Sequence, residues 1–140
     1  MGWRIRHNLR NWGVDYHYKS KHVMCIRTGD DMGRFLDVGI SFSDGNDTMI
    51  IEKCLASESQ DFQQQALAHL SGCDANRCFH CSTYSSGKYV TVLGKNHQIC
   101  GSGKIGFGWG DPVEADLEII KRLVEMRCGV IDEARGVKKN

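Results

Sequence analysis

Four of the chain's seven cysteines, Cys73, Cys78, Cys81 and Cys100, fall within one short stretch and give the pattern C-x4-C-x2-C-x18-C. Thiolates bind Zn²⁺ well, and a structural zinc takes four ligands in a tetrahedron. Cys78 and Cys81 have knuckle spacing, which lets a short loop place two sulfurs on one ion with little ordering cost. Cys73 stands a few residues ahead of them. Cys100 returns after Tyr89-Val-Thr-Val-Leu93 and Gly94-Lys-Asn-His97. The expectation is a structural zinc on these four cysteines, with His80 or His97 able to replace one. His80 sits between Cys78 and Cys81, where ligation by all three would be crowded.

Three other chemistries suit the same residues less well. Four thiolates also hold iron–sulfur clusters, the second choice of cofactor here. Cys78-Phe-His80-Cys81 has the C-x-x-C form, and a neighbouring imidazole can lower a thiol pKa. A thioredoxin-type motif belongs at a strand-to-helix junction, whereas this one follows a helical pattern and precedes a strand-like one. A set of unmetallated packed thiols is the plain alternative. Clustered thiols without metal are open to oxidation, and zinc would help fold a loop poor in apolar residues.

The elements that must position this stretch read as α+β. Trp12, Val14, Tyr16 and Tyr18 alternate with polar residues, the period of a half-buried strand. Lys19-Ser-Lys21 is a turn, His22–Arg27 a second strand, and Phe35–Phe42 the clearest strand. In the last, Leu36, Val38, Ile40 and Phe42 point one way and Asp37, Gly39 and Ser41 the other. Three strands with short polar connections predict an antiparallel meander. From Met49 the spacing becomes helical, with Ile50, Ile51, Cys54 and Leu55 on one face. Ser57 and Gln60 suggest a capping box for a second helix through Phe62, Ala66, Leu67 and Leu70, ending at Gly72. Cys25 and Cys54 lie at apolar positions and read as small core hydrophobes.

Tyr89–Leu93 is a strand, Gly94–His97 a hairpin connection, and Gln98–Cys100 the return. Ile105, Phe107 and Trp109 alternate with glycines, as in an edge strand. Asp111-Pro-Val-Glu114 reads as a helix start with Asp111 as N-cap. Val113, Leu117, Ile120, Leu123 and Val124 would form that helix's apolar stripe, Glu118–Arg122 and Lys121–Glu125 its supporting pairs, and Gly129 its end.

A length of 140 residues suits one domain, 1–140, with the cysteine-rich insert at about 72–101. The fold class expected is α+β, a mainly antiparallel sheet with helices packed on one face and a cysteine-rich metal-binding loop. Formal net charge is +1, so no global attraction to nucleic acid or a membrane surface exists. No apolar run approaches a membrane span and the start has no signal-peptide pattern, which places the chain in the cytoplasm. A reducing compartment in turn favours metal over disulfides.

The second half resembles a group of small, uncharacterised α+β proteins from clostridia-like bacteria. The likeness rests on Cys73, Cys78 and Cys81, on Val92-Leu-Gly94-Lys95, on Cys100-Gly101, and on Asp111-Pro112, where that group has Asn-Pro. The first half is more distantly similar to another bacterial α+β family. The resemblance implies a fold and a metal site, and no reaction.

Other motifs carry less. Gly101-Ser-Gly-Lys104 lacks the upstream glycine and the hydroxyl residue of a P-loop. Gln98-x-x-Gly101-x-Gly103 is similar to an acyl-CoA loop but precedes no helix. A zinc-knuckle nucleic-acid binder would use Lys88, Lys95, Lys104, Tyr84, Tyr89 and Trp109, which are scattered along a near-neutral chain. A Cys–His–Asp hydrolase needs partners that meet only in space. The expectation is a zinc-containing module that binds a small molecule or a protein partner through its sheet face or the Gly-rich 101–110 segment. The alternatives are a thiol enzyme or redox protein using Cys78 or Cys81, and the nucleic-acid binder.

Overall fold

A computed structural model describes residues 2–8, 13–28, 36–42, 49–70, 88–99, 106–134 and 136. The chain is α+β and divides into two compact units, Met1–Ser41 with Gly108–Asn140, and Phe42–Phe107. The expected cysteine cluster at 73–81 and 100 lies outside the described residues.

The first unit is built on an antiparallel meander: β1 (Trp3–Asn8), β2 (Gly13–Tyr18), β3 (Lys21–Thr28) and β4 (Leu36–Ser41). β7 (Gly106–Gly110) lies beside β4 and completes the order β1-β2-β3-β4-β7. The alternation read along Val14, Tyr16 and Tyr18 and along Leu36, Val38 and Ile40 is thus a true strand period, and Val38 and Ile40 are buried. β1 forms an edge of the sheet, paired with β2. β7 takes the edge place expected of its glycine-alternating sequence, with Phe107 and Trp109 both buried.

Tight connections set the registers. Lys19 and Ser20 both have positive φ, +48° and +70°, the twist a two-residue hairpin needs. At the start of β2, a Cβ on Gly13 would meet the Ile26 carbonyl oxygen at 2.8 Å, so only glycine allows the close pairing with β3 there.

The long helix α3 (Leu117–Ala134) packs on β3 and β4 and follows a single 3₁₀ turn, Glu114–Asp116. Its buried residues are Ile119, Ile120, Leu123, Arg127 and Ile131. Three expectations are corrected. Val113 and Leu117 are exposed, because the α-helix proper begins only at Leu117 and the intervening 3₁₀ turn breaks the 3.6-residue phase. Asp111 does not cap the helix. It has φ +48° and its carboxylate accepts the Leu36 amide, while Asp116 Oδ2 accepts the Val113 amide at 2.8 Å. Gly129 does not end the helix, which runs five residues further to Ala134, sustained by packing through Ile131. Arg122 pairs with Glu125 at 3.4 Å. At the far end, Asp132 accepts from Tyr18 Oη at 3.3 Å and pairs with Lys19.

The second unit contains α1 (Met49–Ala56), α2 (Gln60–Leu67) and the hairpin β5 (Lys88–Val92)–β6 (Lys95–Ile99). α1 lies against β5, burying Ile51 and Leu55, and Glu52 Oε1 accepts the Thr91 amide at 2.6 Å. Phe42 and Phe107 meet edge to face at 5.6 Å. α2 is capped by Ser59, not Ser57: Ser59 Oγ accepts the Phe62 amide at 3.1 Å, and Ser57 Oγ donates back to the Cys54 carbonyl, closing α1. The hairpin turn is tighter than expected. Leu93 and Gly94 alone, at φ +53° and +74°, reverse the chain, and the residues from Lys95 to His97 already belong to β6.

Candidate metal centre

The donor residues brought together among the described residues are Asp15, His22 and Cys25. One ligand atom from each lies within 4.8 Å of the other two. All three come from a single hairpin. Asp15 on β2 stands directly opposite Cys25 on β3, so their side chains project from the same face of the sheet.

His22 should not be there by simple alternation. In a regular strand, residues three apart face opposite ways, which would set His22 and Cys25 on different faces. The register shifts between Tyr16 and His17: Tyr16 pairs with Met24, but His17 pairs with His22. Val23 is the extra residue of a β-bulge, and it is fully buried. The shift places His22 opposite His17, and their rings lie 5.3 Å apart edge to face. His22 Nε2 comes within 3.3 Å of Asp15 Oδ1.

These distances fit a small metal ion. A tetrahedron with zinc–ligand bonds of about 2.0–2.3 Å has edges of roughly 3.3–3.8 Å. The imidazole–carboxylate separation already equals such an edge, and the thiol needs to close by at most roughly 1–1.5 Å. Imidazole, carboxylate and thiolate are all zinc donors, and the thiol excludes the hard oxygen-seeking cations calcium and magnesium.

The thiol's resting state matters. Burial pushes the Cys25 pKa up; the Asp15 and Asp37 carboxylates push the same way, while the Arg27 guanidinium and a hydrogen bond involving the Gly39 backbone oppose it. Without metal, Cys25 is therefore a protonated thiol near neutrality. A cysteine nucleophile wants the opposite, a depressed pKa. A divalent ion held by these donors would supply the positive charge that favours loss of that proton.

Cys73, Cys78, Cys81, Cys100 and His80 lie outside the described residues. Cys54 and Cys128 are half-buried, and burial also raises the Cys128 thiol. His97 stands on β6 with its Nε2 buried and without a hydrogen-bond partner. Of the residues expected to stack on nucleic acid, Tyr89 is exposed, whereas Trp109 is 1 % exposed and cannot offer a face to a base. The Gly-rich segment from Gly106 onward is a sheet strand, not an open loop.

Asp15 and His22 drew no notice in the sequence, and Cys25 read as core. The one available signal was His22-x2-Cys25, and it is legible only if a bulge is anticipated. Comparison with known protein families, curated proteins and solved structures finds no match in any of the three. Among the described residues, no helix is long and apolar enough to cross a membrane.

Proposed function

We propose that this protein is a transition-metal-binding module, zinc being the ion that best suits its donors. The observation that carries the reading is the convergence of Asp15, His22 and Cys25 within 4.8 Å on one sheet face. Cys73, Cys78, Cys81 and Cys100 form a second proposed zinc site on the strength of their spacing alone. The module's role is to present a metal-stiffened sheet to a small molecule or protein partner. The Asp–His–Cys order also suits a thiol hydrolase, but the raised thiol of Cys25 speaks against a ready nucleophile.

The test is zinc content and zinc titration of the reduced protein, with Cys25→Ser and, separately, Cys73→Ser and Cys100→Ser. Loss of one equivalent in Cys25→Ser supports the hairpin site, and loss of a different equivalent in the other two supports the cysteine cluster. An unchanged stoichiometry and affinity in Cys25→Ser would sink the hairpin site. Rapid alkylation of Cys25 at neutral pH in metal-free protein would turn the assignment toward a thiol enzyme.

A further inference from the structure

A bulge interrupts the ladder and strands backbone polar groups that a regular strand would have paired. Beside the bulged Val23 lies the carbonyl of His22, the residue whose ring the proposed metal site uses. It is met by Arg127 of α3. Arg127 Nη2 donates to the His22 oxygen at 3.1 Å, and Nε points to the same oxygen at 3.4 Å. Arg127 is 1 % exposed, the one buried charged side chain among the described residues.

Helix α3 packs on the sheet chiefly through Ile119, Ile120, Leu123 and Ile131. An apolar residue at 127 would continue that stripe and leave the His22 carbonyl without this donor. Burying a guanidinium is costly unless it is hydrogen-bonded, so its presence here requires a compensating contact. The fork geometry of arginine suits one: two N–H groups reach a single carbonyl from a fixed plane.

We infer that Arg127 is a positioning residue for the metal centre, holding the His22 backbone in the bulged register that turns its imidazole toward Asp15 and Cys25. The inference rests on the metal-binding reading of that site. Arg127 acts through the main chain of one ligand, by its contact with the His22 carbonyl. Its effect is selective, because Asp15 and Cys25 pair in regular register, whereas His22 owes its place to the bulge.

The experiment loads the full-length reduced protein with Co²⁺ and records the visible spectrum, then measures the zinc Kd by competition. Bands lost in Cys25→Ser belong to this site. Arg127→Gln is expected to weaken zinc binding there by about 10- to 100-fold, the usual effect of losing an outer-shell partner. It should alter the cobalt d–d bands and keep the thiolate-to-cobalt charge-transfer band, since Cys25 stays in register. Ile131→Val, a buried change on the same helix, should lower stability and leave both Kd and spectrum unchanged.

If Arg127→Gln does not fold, Arg127→Lys decides: one ammonium replaces the fork, and a three- to tenfold loss with shifted d–d bands is expected. Native Kd and spectrum in a folded Arg127 variant would overturn the positioning role while leaving the metal site standing. Failure of the unmutated protein to bind cobalt or zinc with Cys25 would overturn both.

Discussion

Asp111 and Leu36 clasp each other through two hydrogen bonds: the Asp111 amide donates to the Leu36 carbonyl at 2.7 Å, and the Leu36 amide donates to Asp111 Oδ1 at 2.7 Å. One residue thus ties the end of β7 to the start of β4. It does so from the left-handed region, φ +48°, which Asp and Asn tolerate better than other side-chain-bearing residues.

Asp111→Ala should therefore destabilise by about 1–3 kcal/mol, combining a lost hydrogen bond with a poorly tolerated φ. Asp111→Asn keeps both the acceptor and the tolerance and should stay near the unmutated stability. Urea unfolding checks the pair. Equal stability for Ala and Asn would mean that the clasp contributes nothing.

Gly129→Ala is expected to stabilise by about 0.5–1 kcal/mol. Gly129 lies inside α3, is exposed, and nothing lies within 4 Å of where a Cβ would stand. A rise of a few degrees in Tm is the expected reading. A fall would show that the helix needs glycine there for a reason its surroundings do not reveal.

The two serines before α2 should separate cleanly. Ser59→Ala removes the acceptor for the Phe62 amide and should cost about 1 kcal/mol. Ser57→Ala removes a hydroxyl that only returns to the Cys54 carbonyl and should cost distinctly less. The reverse order in thermal unfolding would restore Ser57 as the cap.

Cys25 alkylation in metal-free protein should be slow at pH 7–8 and accelerate only on the alkaline side of 9.0, the ordinary thiol value. Zinc should suppress it throughout. Stopped-flow labelling with peptide mapping reads this directly, and fast labelling at pH 7 would contradict the raised pKa.

Stability should decline from about pH 9 upward. Burial raises Cys25 and Cys128 above 9.0, and hydrogen bonding to Asp132, then to Tyr18, raises Lys19 above 10.5. In each case the folded pKa exceeds the unfolded one. Folded protein then holds more protons in that window, so the contribution is complete below the unfolded pKa and lost as pH rises through the folded one. Asp132→Asn should shrink the limb above pH 10.5, where Asp132 is the largest cause of the Lys19 shift, and weaken the limb near 9 only through Cys128, whose thiol the Asp132 charge also raises, leaving the Cys25 part in place. Urea titrations at stepped pH in metal-free protein test this, and a flat profile from pH 8 to 11 would refute it.

Much of the fold was legible in the chain because Val14–Tyr18, Leu36–Ile40 and Ile51–Leu55 carry clean two- or 3.6-residue periods. What escaped were local departures from period. The 3₁₀ turn before Leu117 rephases the α3 stripe, so Val113 and Leu117 misread as core. Ser57 and Ser59 compete for one cap, and the Phe62 amide, which only Ser59 accepts, decides between them. The candidate metal centre was hidden for the same kind of reason: strict alternation sends His22 and Cys25 to opposite faces, and only the extra residue Val23 unites them. The clustered spacing of Cys73, Cys78, Cys81 and Cys100 drew the eye instead.

The donors Asp15, His22 and Cys25 span eleven residues of one hairpin closed by Lys19 and Ser20. That locality has a kinetic consequence. Hairpins close in about 1–10 μs, far ahead of pairings between distant segments. The three donors therefore come near one another while much of the chain is still searching, before Arg127 of α3 meets the His22 carbonyl, and an ion taken up at the proposed site at that stage would seed the meander. If the proposed site holds zinc, the ion would accelerate refolding of the first unit to the extent that its donors are together at the barrier, and slow unfolding for the part of the site that α3 completes afterwards.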